Sequence, residues 1–206
     1  MLPGADLPPP GTADQSTETR RSLRIDPAAM VAIQVGRPSA FKGTGRAVAA
    51  VRVARERGVD AHLVLVGAPP DPAWLGAMIR QEGGENWTHV VGEVDEYRKF
   101  ELLAAADALF LVSDYEAFGF VALEALASGT PVLAFEDLPA APTLASVGAI
   151  LTPRASAEAL AVAFLLAGKE QRPPMPPRTW DEYGDEMTRL IEEVMADGTP
   201  PGAGIR

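Results

Sequence analysis

Short runs of apolar residues recur along the chain at 30–35, 62–66, 108–112 and 132–135, with a less apolar one at 88–91. Apolar runs without strict alternation are the mark of strands buried on both faces. Between them lie longer stretches with a helical period. Residues 44–57 place Ala47, Val48, Val51 and Ala54 on one face and end at Gly58. Asp71 and Pro72 open a second helix that runs to about residue 82, and Asp95 is a good N-cap for a third reaching Ala106. Residues 118–128 read as a fourth, with Gly129 at the stop position, and Ser156 caps a fifth to about Ala167. Strands alternating with helices predict a single Rossmann-like, doubly wound parallel sheet over residues 25–170.

The pattern changes at both ends. Residues 1–24 carry Pro3, Pro8, Pro9 and Pro10 among Gly, Ser and Thr, with no apolar period, and read as a flexible arm or linker. Residues 171–206 comprise a Pro-rich connector and an amphipathic helix over 180–195, in which Tyr183, Met187, Leu190, Ile191 and Val194 share a face.

Composition narrows the chemistry. The 206 residues are 47% hydrophobic and 22% charged, an ordinary globular balance. A net charge of -10 argues against nucleic acid or an anionic membrane surface as partner. There is no cysteine, which removes disulfides, thiol nucleophiles and thiolate metal sites, and the only histidines are His62 and His89. A metal site is therefore not expected, and both histidines read as packing or surface residues. No apolar run approaches the about 20 residues needed to cross a bilayer, and the N-terminus lacks a basic stretch followed by an apolar one. A cytoplasmic location is the expectation.

In an open parallel sheet, ligands bind beyond the carboxyl ends of the strands. Three loops at that edge stand out: 36–43, 92–95 and 114–119. The first sets Arg37 and Lys42 beside Gly36 and Gly43, two cations suited to a diphosphate, or else two solvated surface charges. Gly43 and Gly45 stop short of a dinucleotide fingerprint, since its third glycine and the ribose-binding acid are missing. The third loop leads into a helix carrying two carboxylates. Glu116 precedes it, as a ligand acceptor or as a charge complementing the helix dipole. Glu124 lies among Val121, Leu123, Ala125 and Leu126, where a carboxylate is costly to bury unless something polar meets it; the other reading is an exposed position. Backbone amides from about Ala117 to Phe120 are expected to be open to an anionic or hydroxyl oxygen.

Jointly these residues resemble the retaining, GT-B-fold glycosyltransferases of family four, the glycogen-synthase and mannosyltransferase group. The resemblance covers roughly residues 30–167. It rests on Val35-Gly36-Arg37 with Lys42-Gly43, on Val64-Leu-Val-Gly67, on Val91-Gly92-Glu-Val94, and above all on Glu116 and Glu124 in a Glu-x(7)-Glu signature running on to Val132. It implies the C-terminal, nucleotide-sugar-binding half of a GT-B enzyme that moves a hexosyl group. Arg37 and Lys42 would hold the donor diphosphate, with Gly36 beside them. Backbone near Val94 would meet the base and Glu124 the ribose. Glu116 would bind the transferred sugar, with the amides of Phe118, Gly119 and Phe120 close by. Catalysis would fall to Glu116, Arg37 and Lys42, with no metal and no cofactor beyond the donor itself. The family's N-terminal acceptor domain has no counterpart here, so a separate acceptor-binding domain or subunit is an implied partner. Thr143 stands where a Glu is common, so contacts from 135–147 are not carried over. A non-catalytic nucleotide-sugar-binding module and a sugar-nucleotide epimerase are the alternatives.

Overall fold

The computed structural model describes residues 13–154 and 156–168, together with 185, 188 and 189. The elements in chain order are α1 (Ala13–Ser22), β1 (Met30–Val35), α2 (Thr44–Glu56), β2 (Ala61–Val66), α3 (Pro72–Gln81), β3 (Thr88–Gly92), α4 (Glu96–Ala104), β4 (Ala108–Leu111), α5 (Phe120–Ala127), β5 (Val132–Phe135), α6 (Ala141–Ser146), β6 (Ile150–Thr152) and α7 (Ala157–Ala167). The strands form one parallel sheet in the order β3-β2-β1-β4-β5-β6. This is the expected doubly wound architecture, and its strand order reverses between β1 and β4.

The apolar runs are strands because both faces are covered. Every residue of β2, β4 and β5 is buried. Phe110, Phe135 and Phe164 fill the core, with Phe110 and Phe164 meeting edge to face at 5.3 Å. Helix starts follow their caps: the carboxylates of Asp71 and Asp95 accept from the N–H of Trp74 and Arg98 at 2.9 and 2.7 Å, and Ser156 does the same for Ala159. Helix α5 begins two residues later than its apolar pattern predicts, because Gly119 at φ 72° is left-handed and holds the chain out of the helix until Phe120.

The arm expected over residues 1–24 is a helix from Ala13 onward. Helix α1 has no apolar face; it docks on the loop after α4 through polar side chains. Ser16 Oγ donates to the Ala104 carbonyl at 3.1 Å and Arg20 Nε to that of Ala105 at 2.8 Å. Arg20 also donates to the carbonyls of Pro27 and Ala29 and pairs with Asp107 at 3.0 Å. Ile25, just after the helix, is buried in the core. The folded unit therefore begins before residue 25. The connector and helix expected over 171–206 lie outside the described residues, apart from Asp185, Thr188 and Arg189.

His62 and His89 sit near the starts of β2 and β3, the first buried and the second half-buried, and are in contact. His62 Nδ1 lies 2.9 Å from His89 Nε2, and His62 Nε2 lies 3.2 Å from Asp60 Oδ1. Burial pushes the pKa of both imidazoles below the usual histidine value, with Asp60 partly opposing it at His62.

Candidate functional site

The site forms where the strand order reverses. The loop leaving β1 and the loop leaving β4 run side by side, and the Asp114 N–H donates to the Phe41 carbonyl at 2.8 Å. Gly43, at φ 70°, packs so tightly on β4 that a Cβ there would overlap the Val112 carbonyl oxygen. Only glycine lets the first loop lie this close. A buried polar network fixes the rest of it: Gln34 on β1 donates from Nε2 to the Lys42 carbonyl at 2.8 Å and accepts from Thr44 Oγ1 at 2.8 Å. Thr44 Oγ1 in turn accepts from the Ser39 N–H at 3.0 Å. A fully satisfied buried network of this kind holds one loop conformation. Neither Gln34 nor Thr44 carries a sequence signal beyond being polar residues at core positions.

That loop brings Lys42 to Glu116. Lys42 Nζ lies 3.4 Å from Glu116 Oε2, with the two side chains 30% and 19% exposed. Gly36 lies against the same lysine, since a Cβ on Gly36 would stand 3.5 Å from Lys42 Cε. Glu116 Oε1 accepts from the Gly119 N–H at 3.2 Å, and the Glu116 carbonyl accepts from the Ala140 N–H at 3.1 Å. One carboxylate thus occupies both an ammonium and an amide at the start of α5. This corrects the expectation that the amides from Ala117 to Phe120 are all open: the Glu116 side chain folds back three residues and takes that of Gly119. An anionic ligand oxygen arriving here meets two donors that already face an anion.

Arg37 is exposed and forms no ion pair with another described residue, so the structure joins Lys42 to Glu116 but not Arg37. Val94 is half-buried against the core beside exposed Glu93. Phe118 and Phe120 are exposed and stack at 5.7 Å, and Phe41 and Tyr115, next in sequence to Lys42 and Glu116, are exposed as well. Glu124 is not the exposed helix residue that one reading allowed. Its side chain is 14% exposed, and a polar group that meets it is Lys99 of α4, with Nζ 2.9 Å from Oε1. Lys99 also pairs with Glu96 at 2.6 Å. Burial would lower the lysine's pKa, but its bonds to Glu96 and Glu124 outweigh this and raise it.

Arginines outside the expected set brace the second loop. Asp114 pairs with Arg46 at 2.7 Å and with Arg154 at 3.4 Å, and Arg154 donates to the Ser113 carbonyl at 3.0 Å. Arg154 also pairs with Asp137 at 2.6 Å and lies over the Phe135 ring at 4.9 Å. These arginines are engaged with protein acceptors, whereas Arg37 forms no ion pair among the described residues. Among the described residues no group of three His, Asp or Glu side chains is arranged to hold a metal ion.

Comparison with known proteins places this geometry. The family described as "Glycosyl transferases group 1" matches residues 15–187. The chain is 35% identical over 174 residues to the D-inositol 3-phosphate glycosyltransferase of Corynebacterium glutamicum, covering 78% of this chain and 42% of that protein. It is 37% identical over 113 residues to the glycogen synthase of Mycobacterium tuberculosis, covering 55% of this chain and 27% of that one. Among solved structures, WaaG, a glycosyltransferase involved in lipopolysaccharide biosynthesis, superposes with a TM-score of 0.68 at 24% identity, covering 82% of this chain and 47% of that one. Anabaena HepE in complex with UDP-glucose superposes with a TM-score of 0.71 at 20% identity, covering 91% of this chain and 54% of HepE. The chain thus spans about half the length of these structures and less of the curated relatives. Family and fold converge on one answer: this chain belongs to the group 1 glycosyl transferases, with the GT-B type of fold.

Proposed function

We propose that this chain is the donor-binding half of a retaining glycosyltransferase, taking a nucleoside-diphosphate sugar and presenting its hexosyl group to an acceptor held by a further domain or subunit. The observation that carries the reading is the Lys42–Glu116 pair at the strand-order reversal, a cation and a carboxylate 3.4 Å apart on adjoining loops. Lys42 turns from Glu116 to the diphosphate, and exposed Arg37 swings in beside it. The released Glu116 carboxylate then accepts from hydroxyls of the transferred sugar, next to the backbone of Phe118, Gly119 and Phe120. Backbone around Val94 borders the base, and Glu124 accepts from the ribose. Rate enhancement comes from orientation and from cations facing the charge that builds on the leaving diphosphate. Lys42 and Arg37 supply that charge without a divalent ion, so chelators leave transfer unchanged.

A thermal-shift panel of UDP, GDP and ADP, with their sugars, tests the donor site. A ligand at about a hundred times its Kd stabilises the fold by about 2.7 kcal/mol, and no shift with any of the six ligands overturns the reading. The second reading is a nucleotide-sugar-binding module without turnover. Transfer assayed with and without an acceptor-domain partner separates the two.

A further inference from the structure

Glu124 lies on the second turn of α5 between Leu123 and Ala125, both buried, and is itself nearly buried. The group that makes this tolerable comes from another helix. Lys99, 13% exposed, stands on the first turn of α4, four residues beyond the Asp95 cap and five beyond Val94. Its neighbour Arg98 is anchored to Glu101 at 2.8 Å and to Ser22 Oγ on α1 at 2.8 Å, so the turn that carries Lys99 is itself held. Glu96, the second partner of Lys99, is 69% exposed and holds the ammonium from the solvent side. The ammonium is thus aimed at one oxygen of Glu124.

From this geometry we infer that Lys99 is the positioning residue that orients Glu124 to accept hydrogen bonds from the ribose diol of a nucleoside diphosphate. The inference rests on the donor-binding reading above. An ionised carboxylate is an acceptor only, able to take several hydrogen bonds at once. Two adjacent ribose hydroxyls are donors that suit such an acceptor. Lys99 does not touch the ligand; it holds the Glu124 carboxylate pointing one way, and helices α4 and α5 are joined as a result.

The test reads the ribose hydroxyls directly. UDP, GDP and ADP are each titrated by calorimetry beside their 2′,3′-dideoxy analogues, on the full chain and on Lys99→Met and Lys99→Arg. The expected result is that Lys99→Met weakens the tightest parent nucleotide about tenfold, the size of one hydrogen bond to a charged group. The dideoxy analogue should change less than about twofold, and Lys99→Arg should recover most of the loss. A Lys99→Met protein that loses both ligands alike has lost only a helix contact, and one that still discriminates between them does not need Lys99; either overturns the inference alone. If the unaltered chain binds parent and analogue equally, the assignment of Glu124 fails and takes the inference with it. If it binds no nucleotide, the donor-binding reading has failed first.

Discussion

Strands β1 and β4 are neighbours at the middle of the sheet, and an ion pair stands at each end of them. At the amino end, Arg20 spends its guanidinium on three carbonyls and on Asp107, whose Oδ2 also takes the Val31 N–H at 2.6 Å. At the carboxyl end, Lys42 reaches Glu116 at 3.4 Å through a flexible stem, and the surrounding aromatics are exposed. Both pairs join opposite charges brought together by the same two strands. They differ in what else their atoms touch. Arg20 is planar, weakly hydrated and engaged by three backbone carbonyls as well as by Asp107. Lys42 is a point charge with one acceptor among the described residues, which an incoming anion can replace. A parallel sheet has this asymmetry built in, since the loops that can vary for ligands gather beyond the carboxyl ends of its strands.

Breaking the amino-end pair should have the largest effect on the fold. Asp107→Ala leaves the Arg20 charge and the Val31 N–H without their partner, and should lower stability by about 3 kcal/mol. Urea unfolding measures this, and nucleotide affinity of the remaining folded protein should be unchanged. A loss below about 1 kcal/mol would mean that the two ends are not different in kind.

Breaking the carboxyl-end pair should invert the outcome. Lys42→Ala should change stability by less than about 1 kcal/mol, as expected for a partly exposed pair. It should cost about 2 kcal/mol of nucleoside-diphosphate binding, roughly thirtyfold in Kd. A variant that binds the diphosphate normally would remove Lys42 from the site.

The smallest effect sharpens the comparison by adding a third kind of polar contact, away from both ends of this strand pair. His62 and His89 share a proton-bearing contact as neutral rings. Burial holds their pKa values below the ordinary value, so the unfolded chain takes up protons before the folded one as pH falls. Their contribution is complete above the ordinary histidine pKa and is lost as pH falls below it. His89→Gln should flatten that part of the curve of urea midpoint against pH. An unchanged slope would place its origin elsewhere.

How much of this was legible depends on which force builds each part. The apolar runs of β2, β4 and β5 and the periodic faces of α2 and α7 announce burial directly, and Asp71, Asp95 and Ser156 mark where helices begin. Helix α1 escaped because it is attached by Ser16 and Arg20 to backbone carbonyls, an attachment with no hydrophobic period. Lys42 and Glu116 stood out in the sequence only as residue types beside glycines, with the Glu-x(7)-Glu spacing adding weight. That they touch was not readable, since 74 positions separate them.

The sequence by itself determined the alternation of strands and helices from β1 onward, the carboxyl-end loops that hold Lys42 and Glu116, and the apolar setting that makes Glu124 need a partner. Only the tertiary structure decided which partner that is. Lys99 meets Glu124 because two helices from different βα units pack side by side, and Lys42 meets Glu116 because the strand order reverses between β1 and β4. Local pattern encodes what must be buried, but which charge answers which is set by distances that exist only once the sheet has formed.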